Sequence, residues 1–526
     1  MKAFHTGRVL ISLLASAVSF LTFLSPASAA ISGYQDISVI HHSVSGNAGN
    51  SFYPSRDWDY LTQGSLRFQE TAKDREYTGA FDYTYTDDRT QAPAGFNIER
   101  MYFGLKQGTT DFLLGDYYAR FSPYTLDNAL KGIRIGIGDP EVRRLTIAAG
   151  IDTPLWRNLT DDAADHTQSK RYVWGLRLEN PFADGRGAIN LNYAGALDDT
   201  DFTPPFGTPM QVNVFSVDGH YAFTEHLTGY GELAASLTDE DIRQGSSQGT
   251  KTGIAGKLGL QLRTERYSLD AEYNRAGKDF YAAGGFSARD QEWLTLNGKL
   301  ALPGDAAFGH YIRIGRENIS GGEAQVREIN PGGSLSLRLP WELSLDLNAD
   351  LLRRVSRDRS TDSTATTLGA HLGRQFGPVQ ATLGYSHTMF SNRADITQSR
   401  DIDAVTAGLS GGTKIRNVDI GWNVSERAEF SGYHKVSGSD TVTSTSLGLK
   451  AVFPSSLAVE ARAQLGSGKY AQATDSASTD LYLGISRSIT KDASVSLTCE
   501  HKRNTFEQSI NNYAETTVKA SVRYTF

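Results

Sequence analysis

The side chains able to do chemistry in this 526-residue chain are mostly arginines and aspartates set into segments that alternate apolar and polar residues. Arg67, Arg100, Arg134, Arg144 and Arg177 recur through the N-terminal third, each on the polar row of such a segment. Later polar rows add Arg263, Arg313, Arg338, Asp346 and Asp350. Guanidinium groups fixed on a wetted wall attract anions and narrow a passage, so the pattern points to electrostatic filtering rather than bond making. Charges of both signs can instead pair with one another across such a wall, and the sequence leaves that alternative open.

Signals for catalysis are missing. No G-x-S-x-G, H-E-x-x-H or phosphate-cradling glycine loop stands out, and the 11 histidines support no triad without geometry. We expect no enzyme and no cofactor. The single cysteine, Cys499, excludes an internal disulfide and any cysteine-based metal or haem-attachment pattern. It follows Val495 and Leu497 on an apolar row, where it packs as a small hydrophobe. Acidic clusters occur in polar connections at Asp161, Asp162 and Asp165, at Asp198, Asp199 and Asp201, and at Asp239, Glu240 and Asp241. Their spacing matches no EF-hand loop, so we read them as solvated and expect no metal site. Divalent ions bridging them to lipopolysaccharide phosphates are the alternative.

The elements that must position these charges are strands. In the clearest case Leu343, Leu345, Leu347, Ala349 and Leu351 oppose Ser344, Asp346, Asn348 and Asp350. Successive strand side chains point to opposite faces, so one face is oily and the other wet. Tight links such as 223–226, 339–342, 376–378 and 453–456 alternate with long polar ones such as 152–169, 198–208, 238–249 and 276–289. An aromatic marks the tight-link end again and again: Phe182, Phe223, Trp341, Phe376, Phe453 and Phe526. Aromatic rings suit the boundary between lipid tails and headgroups.

The last segment, Ala514 to Phe526, carries Ala514, Thr516, Val518, Ala520, Val522, Tyr524 and Phe526 on one row. That ending resembles the closing strand of bacterial outer-membrane β-barrels. The resemblance implies that Val522, Tyr524 and Phe526 form an assembly signal read by the barrel assembly machinery. It implies outer-membrane lipid and lipopolysaccharide as surroundings, and leaves room for a periplasmic or extracellular protein partner. We expect no nucleic-acid partner.

The ends and composition agree with export. Lys2 and Arg8, an apolar run from Val9 to Leu24, and Ala27-Ser28-Ala29 make residues 1–29 a signal peptide, with 30–526 one transmembrane β-barrel. Its removal shifts the net charge from −7 to −9. A mean hydropathy of −0.37 fits a barrel, because only alternate residues face lipid. We expect an all-β fold: a single large antiparallel transmembrane barrel of about 26 strands, within 22–26, with short periplasmic turns and long extracellular loops. The count of 26 requires residues 401–437 to supply two strands; a further one at Val418–Val424 would make it odd. Residues 111–138 break the alternation, and are either a short strand with an extracellular loop or a segment folded into the lumen. No separate plug domain is expected ahead of the first strand.

Functionally, the sequence points to a porin-like channel for passive or selective passage of solutes. A sheath around a multihaem cytochrome and a polymer or protein export pore are the alternatives. In an open channel, reversing Arg100, Arg134, Arg144 and Arg177 to Glu would move selectivity toward cations with folding intact. Deleting Phe526, or replacing it with Asp, should prevent normal barrel assembly, read as loss of the protein from the outer-membrane fraction. Normal levels after that change would exclude an assembly role for this residue.

Overall fold

The alternating segments become strands of one closed sheet. The computed structural model describes residues 30–51, 58–88, 95–153, 156–159, 170–203, 207–243, 249–285, 289–321, 323–471 and 473–526. The expected signal peptide and the Asp161, Asp162 and Asp165 cluster lie outside the described residues. Each of the 26 strands pairs antiparallel with the next in the chain. The last, β26 (Tyr513–Thr525), returns to β1 (Ala30–Gly46) in continuous register from Tyr34↔Thr525 to Gly46↔Tyr513. The ring therefore has no free edge. The fold class and strand number match the expectation. Residues 401–437 supply β20 (Arg400–Ile415) and β21 (Val418–Tyr433), so Val418–Val424 is the first half of a strand.

Registration puts the apolar rows on one face. Leu345 and Leu347 of β17 (Leu343–Ser356) stand beside Leu337 and Leu335 of β16 (Val326–Leu339). On the other side they meet Leu372 and Ala370 of β18 (Asp362–Phe376). Val495, Leu497 and Cys499 likewise meet Val522, Ala520 and Val518. Leu233, Ile254, Leu258, Leu383 and Leu497 on this face are each about half exposed or more. A belt of that kind around a whole ring would be a large apolar patch in water and is a normal surface in lipid. Asp346, between Leu345 and Leu347, faces inward and accepts a hydrogen bond of 2.6 Å from Ser336 Oγ.

The two rims differ as expected. Turns such as 73–74, 108–109 and 416–417 close one end, while longer connections such as 393–399, 434–438 and 507–512 lie at the other. Both barrel ends of the chain lie at the short-turn rim. There Phe526 continues the ladder past β26, exchanging bonds of 2.8 and 3.0 Å with Gly33. A Cβ on Gly33 would come within 3.0 Å of the Phe526 ring, so glycine lets the terminal aromatic lie over the seam.

Leu345→Arg and Leu347→Arg should each destabilise the barrel in lipid by about 2–4 kcal/mol near the bilayer midplane. Asp346→Arg should fold about as well as the parent. Heat-modifiable migration on SDS-PAGE measures this, and equal damage from all three would contradict the register.

Candidate functional site: an inward hairpin and the lumen wall

The shortest pairing in the wall lies between β4 (Phe96–Gln107) and β5 (Thr110–Arg120). They pair only from Gln107↔Thr110 to Tyr102↔Gly115, whereas β5 stays with β6 (Asp127–Asp139) as far as Arg120↔Asp127. Gly115 has φ +106°, and a Cβ there would lie 2.2 Å from the Met101 carbonyl oxygen. Beyond this point the hairpin tip leaves β4 and turns into the lumen.

Leaving the wall strips β4 of ladder partners, and Asp116 replaces part of what is lost. Its carboxylate accepts the Met101 backbone N–H at 2.6 Å and the Trp156 indole N–H at 2.6 Å. It also holds Lys131 Nζ at 2.5 Å, and that ammonium lies over the Trp156 ring. Buried donors without such an acceptor would each cost about 1–3 kcal/mol.

The connection at 121–126 is buried except at Pro123: Phe121, Ser122, Tyr124, Thr125 and Leu126 are all 5% exposed or less. Ser122 and Thr125 hydroxyls bond at 2.6 Å, and Ser122 donates to the buried carboxylate of Glu232. Arg177 donates to the Phe121 carbonyl. A second inward segment, 277–285, joins it. Gly284 N–H reaches Thr125 O at 3.2 Å, Asp127 N–H reaches Gly284 O at 3.0 Å, and Phe280 packs edge-on against Tyr124.

The wall beneath is apolar where a pore would be wet. Val173 of β8 (Arg171–Phe182), Ala196 of β9 (Gly187–Asp198) and Val212 of β10 (Gln211–Ala222) stand in one cross-strand row. Ala194 and Val214 stand in the next. All five are at most 1% exposed and share one cluster with Phe121, Tyr124, Leu126 and Phe280. Small side chains leave room for a second layer, and the hairpin supplies it. Of the two readings of residues 111–138, the segment folded into the lumen is the one observed, at 121–126; the short strand with an extracellular loop is not, because β5 is a full strand and its connection to β6 packs inward.

The arginines singled out from sequence are brought together with aspartates. Arg67 grips Asp82 with two bonds of 2.6 and 2.8 Å, and Arg100 Nε meets the same carboxylate at 2.8 Å. Arg134 at 3.0 Å and Arg144 share Asp111. Arg177 meets Asp218 at 3.0 Å and Glu179 at 3.3 Å. The partners Asp82, Asp111 and Asp218 were missed in the sequence; Asp82 stands on a polar row with Glu76, Thr78 and Thr84, whereas Asp111 shares its row with Leu113 and Tyr117, and Asp218 shares its row with Val212 and Val214. Further on, Arg263 lies 3.5 Å from Asp270, Arg313 lies 3.8 Å from Glu328, and Arg338 lies 3.9 Å from Asp305. Asp350 accepts from Asn330 and Tyr311.

Of the described acidic loop residues, Asp198 pairs with Arg171, Asp241 with Arg243 and Glu240 with Lys251, while Asp199 accepts from the Tyr172 hydroxyl. Among the described residues no group of His, Cys, Asp and Glu is arranged to hold a metal ion. Val522, Tyr524 and Phe526 face outward, each 43% exposed or more, with the two rings stacked 6.1 Å apart.

No family model and no curated protein matches the chain. Solved structures resemble it distantly. The P pilus usher (PapC) translocation pore is 9% identical with a TM-score of 0.40, covering 94% of this chain and 99% of its own. A mutant of the ferric enterobactin receptor (PfeA) from Pseudomonas aeruginosa is 9% identical with a TM-score of 0.42, covering 94% and 80%. An anion-selective porin from Comamonas acidovorans is 12% identical with a TM-score of 0.25, covering 95% and 100%. Likeness at that level lends this chain no function. The class rests on the molecule itself: a closed ring, a lipid-facing belt and unequal rims define a transmembrane β-barrel of the outer-membrane type. Within that class its mark is the two-segment inward fold.

Leu126→Ala should cost about 2–4 kcal/mol, confined to the inward layer. Hydrogen exchange should accelerate at 117–130 and 277–285 and stay unchanged in β17 to β21. Unchanged exchange at 117–130 would show that the inward layer does not depend on this contact.

Proposed function

We propose that this chain is an outer-membrane channel in which solutes pass through a wet half-lumen beside a fixed internal layer. The observation that supports it is the divided inner face. On the β8–β10 side the wall is apolar and covered. From β17 to β21 it carries short polar side chains in register: Asp350, Thr367 and Thr388, then Ser410 and Asn423. Beyond Trp293, Ala404 is the only buried apolar residue among those described. Hydroxyls and amides without apolar cover are solvated, as lumen walls are. A round barrel of this strand number, with a tilt of ~40°, would measure ~50 Å between opposite backbones, so covering one side leaves a passage on the other.

The arginines give that passage a sign. Asp82 and Asp111 each carry two guanidinium groups, which leaves about one uncompensated positive charge at each triplet. Passage on this reading favours anions, filtered by width and lining charge. Export by a signal peptide at residues 1–29, assembly through Val522, Tyr524 and Phe526, and a surround of lipid and lipopolysaccharide belong to the same proposal.

Because the arginines are paired, reversing all four to Glu would set like charges against Asp82 and Asp111 and damage folding. Neutralising one of each pair is the cleaner experiment. Arg100→Gln with Arg134→Gln should fold normally and move the reversal potential toward zero in planar bilayers. The difference from the parent should shrink as salt rises, since the Debye length falls from about 10 Å at 0.1 M to about 3 Å at 1 M. Correctly folded parent without conductance would overturn the channel reading and favour a sheath filled by a partner.

A further inference from the structure

The lipid-facing side carries a second charged feature that the lumen does not use. At the long-loop rim, one residue inside the ends of β13 (Tyr267–Ala276), β14 (Gln291–Leu302), β15 (Ala306–Glu317) and β16, the register aligns Arg275, Glu292, Arg316 and Arg327. The row immediately below is Tyr273, Leu294, Ile314 and Ile329, each 42–46% exposed on the outer belt. The four charged residues therefore face outward, just above the apolar surface.

Their arrangement is organised. Glu292 has a largely covered carboxylate that holds Arg316 Nε at 2.7 Å and lies 4.0 Å from Arg275, with the Tyr273 hydroxyl donating at 3.3 Å. Two guanidiniums are thus kept beside one carboxylate. Arg327, on the strand next to Arg316, is exposed and has no acidic partner among the described residues. Adjacent strands are about 4.8 Å apart, so Arg316 and Arg327 can converge on one anion while a ladder of three cations faces a single acid.

We infer that this row is a binding site for the phosphorylated headgroup of an outer-leaflet glycolipid of the lipid A type. Phosphate accepts paired bonds from guanidinium, which favours arginine over lysine here. A phosphomonoester carries about −1.5 to −2 charges at neutral pH, and suits several cations better than the single charge of a phosphodiester. The apolar row below gives acyl chains a surface directly under the headgroup, which distinguishes a lipid from a soluble phosphate. The inference rests on the outer-membrane reading with the long loops outside.

Native mass spectrometry of the full, folded protein, titrated with bisphosphorylated lipid A, tests it. Arg327→Gln, which breaks no ion pair in the protein, should weaken retention about tenfold, the loss of one charge-assisted contact. The triple variant with Arg275→Gln and Arg316→Gln should weaken it further, while Arg338→Gln at the opposite rim should leave it unchanged. Equal retention by the parent and Arg327→Gln would overturn the site, as would equal retention of dephosphorylated lipid A or of phosphatidylglycerol by the parent. Failure of the outer-membrane reading would show separately, as a parent protein that does not fold into lipid.

Discussion

In lipid, every backbone N–H and C=O must find its partner within the protein, and this chain meets that demand by closing a sheet on itself. The seam between β1 and β26 is consequently as continuous as any internal pairing, running from Tyr34 to Gly46 and extended by Phe526. Closure also holds the Phe526 ring over Gly33. It also explains why the gap in the wall between β4 and β5 is met by the Asp116 carboxylate and a tryptophan from another segment.

The gap is what gives the lumen two sides. A hairpin that stayed in the wall would leave β8 to β10 facing water with valines and alanines. Turned inward at Gly115, it buries them and brings Glu232, Arg177 and Ser122 into a bonded set beneath. Apolar burial and polar satisfaction thus act together: Phe121, Tyr124, Leu126 and Phe280 supply the packing, and buried donors and acceptors set the orientation.

Charge is distributed by the same logic. Inward arginines share aspartates, which fixes their side chains and leaves a modest positive excess rather than a strong field. On the outer face Arg275, Arg316 and Arg327 align in one row near the long-loop rim, and Glu292 keeps two of them in place. On both faces a carboxylate on a neighbouring strand, reached across the pairing, decides where a guanidinium points.

Much of this is written locally. Period-two alternation, turn residues and rim aromatics report on single strands and single hairpins, so the barrel, its 26 strands and the two rims are legible without coordinates. The inward row of Arg67, Arg100, Arg134, Arg144 and Arg177 is legible for the same reason. Their partners are not, because Arg100 reaches Asp82 through a cross-strand register that contains a bulge between Asp82 and Tyr83. Nor could the alternation at 111–138 say which part of an irregular stretch remains strand. That depends on Gly115 meeting Met101, on Asp116 meeting Trp156, and on 277–285 arriving from eight strands away. Patterning along a chain records which face a side chain takes. Only pairing between distant segments decides what it meets there.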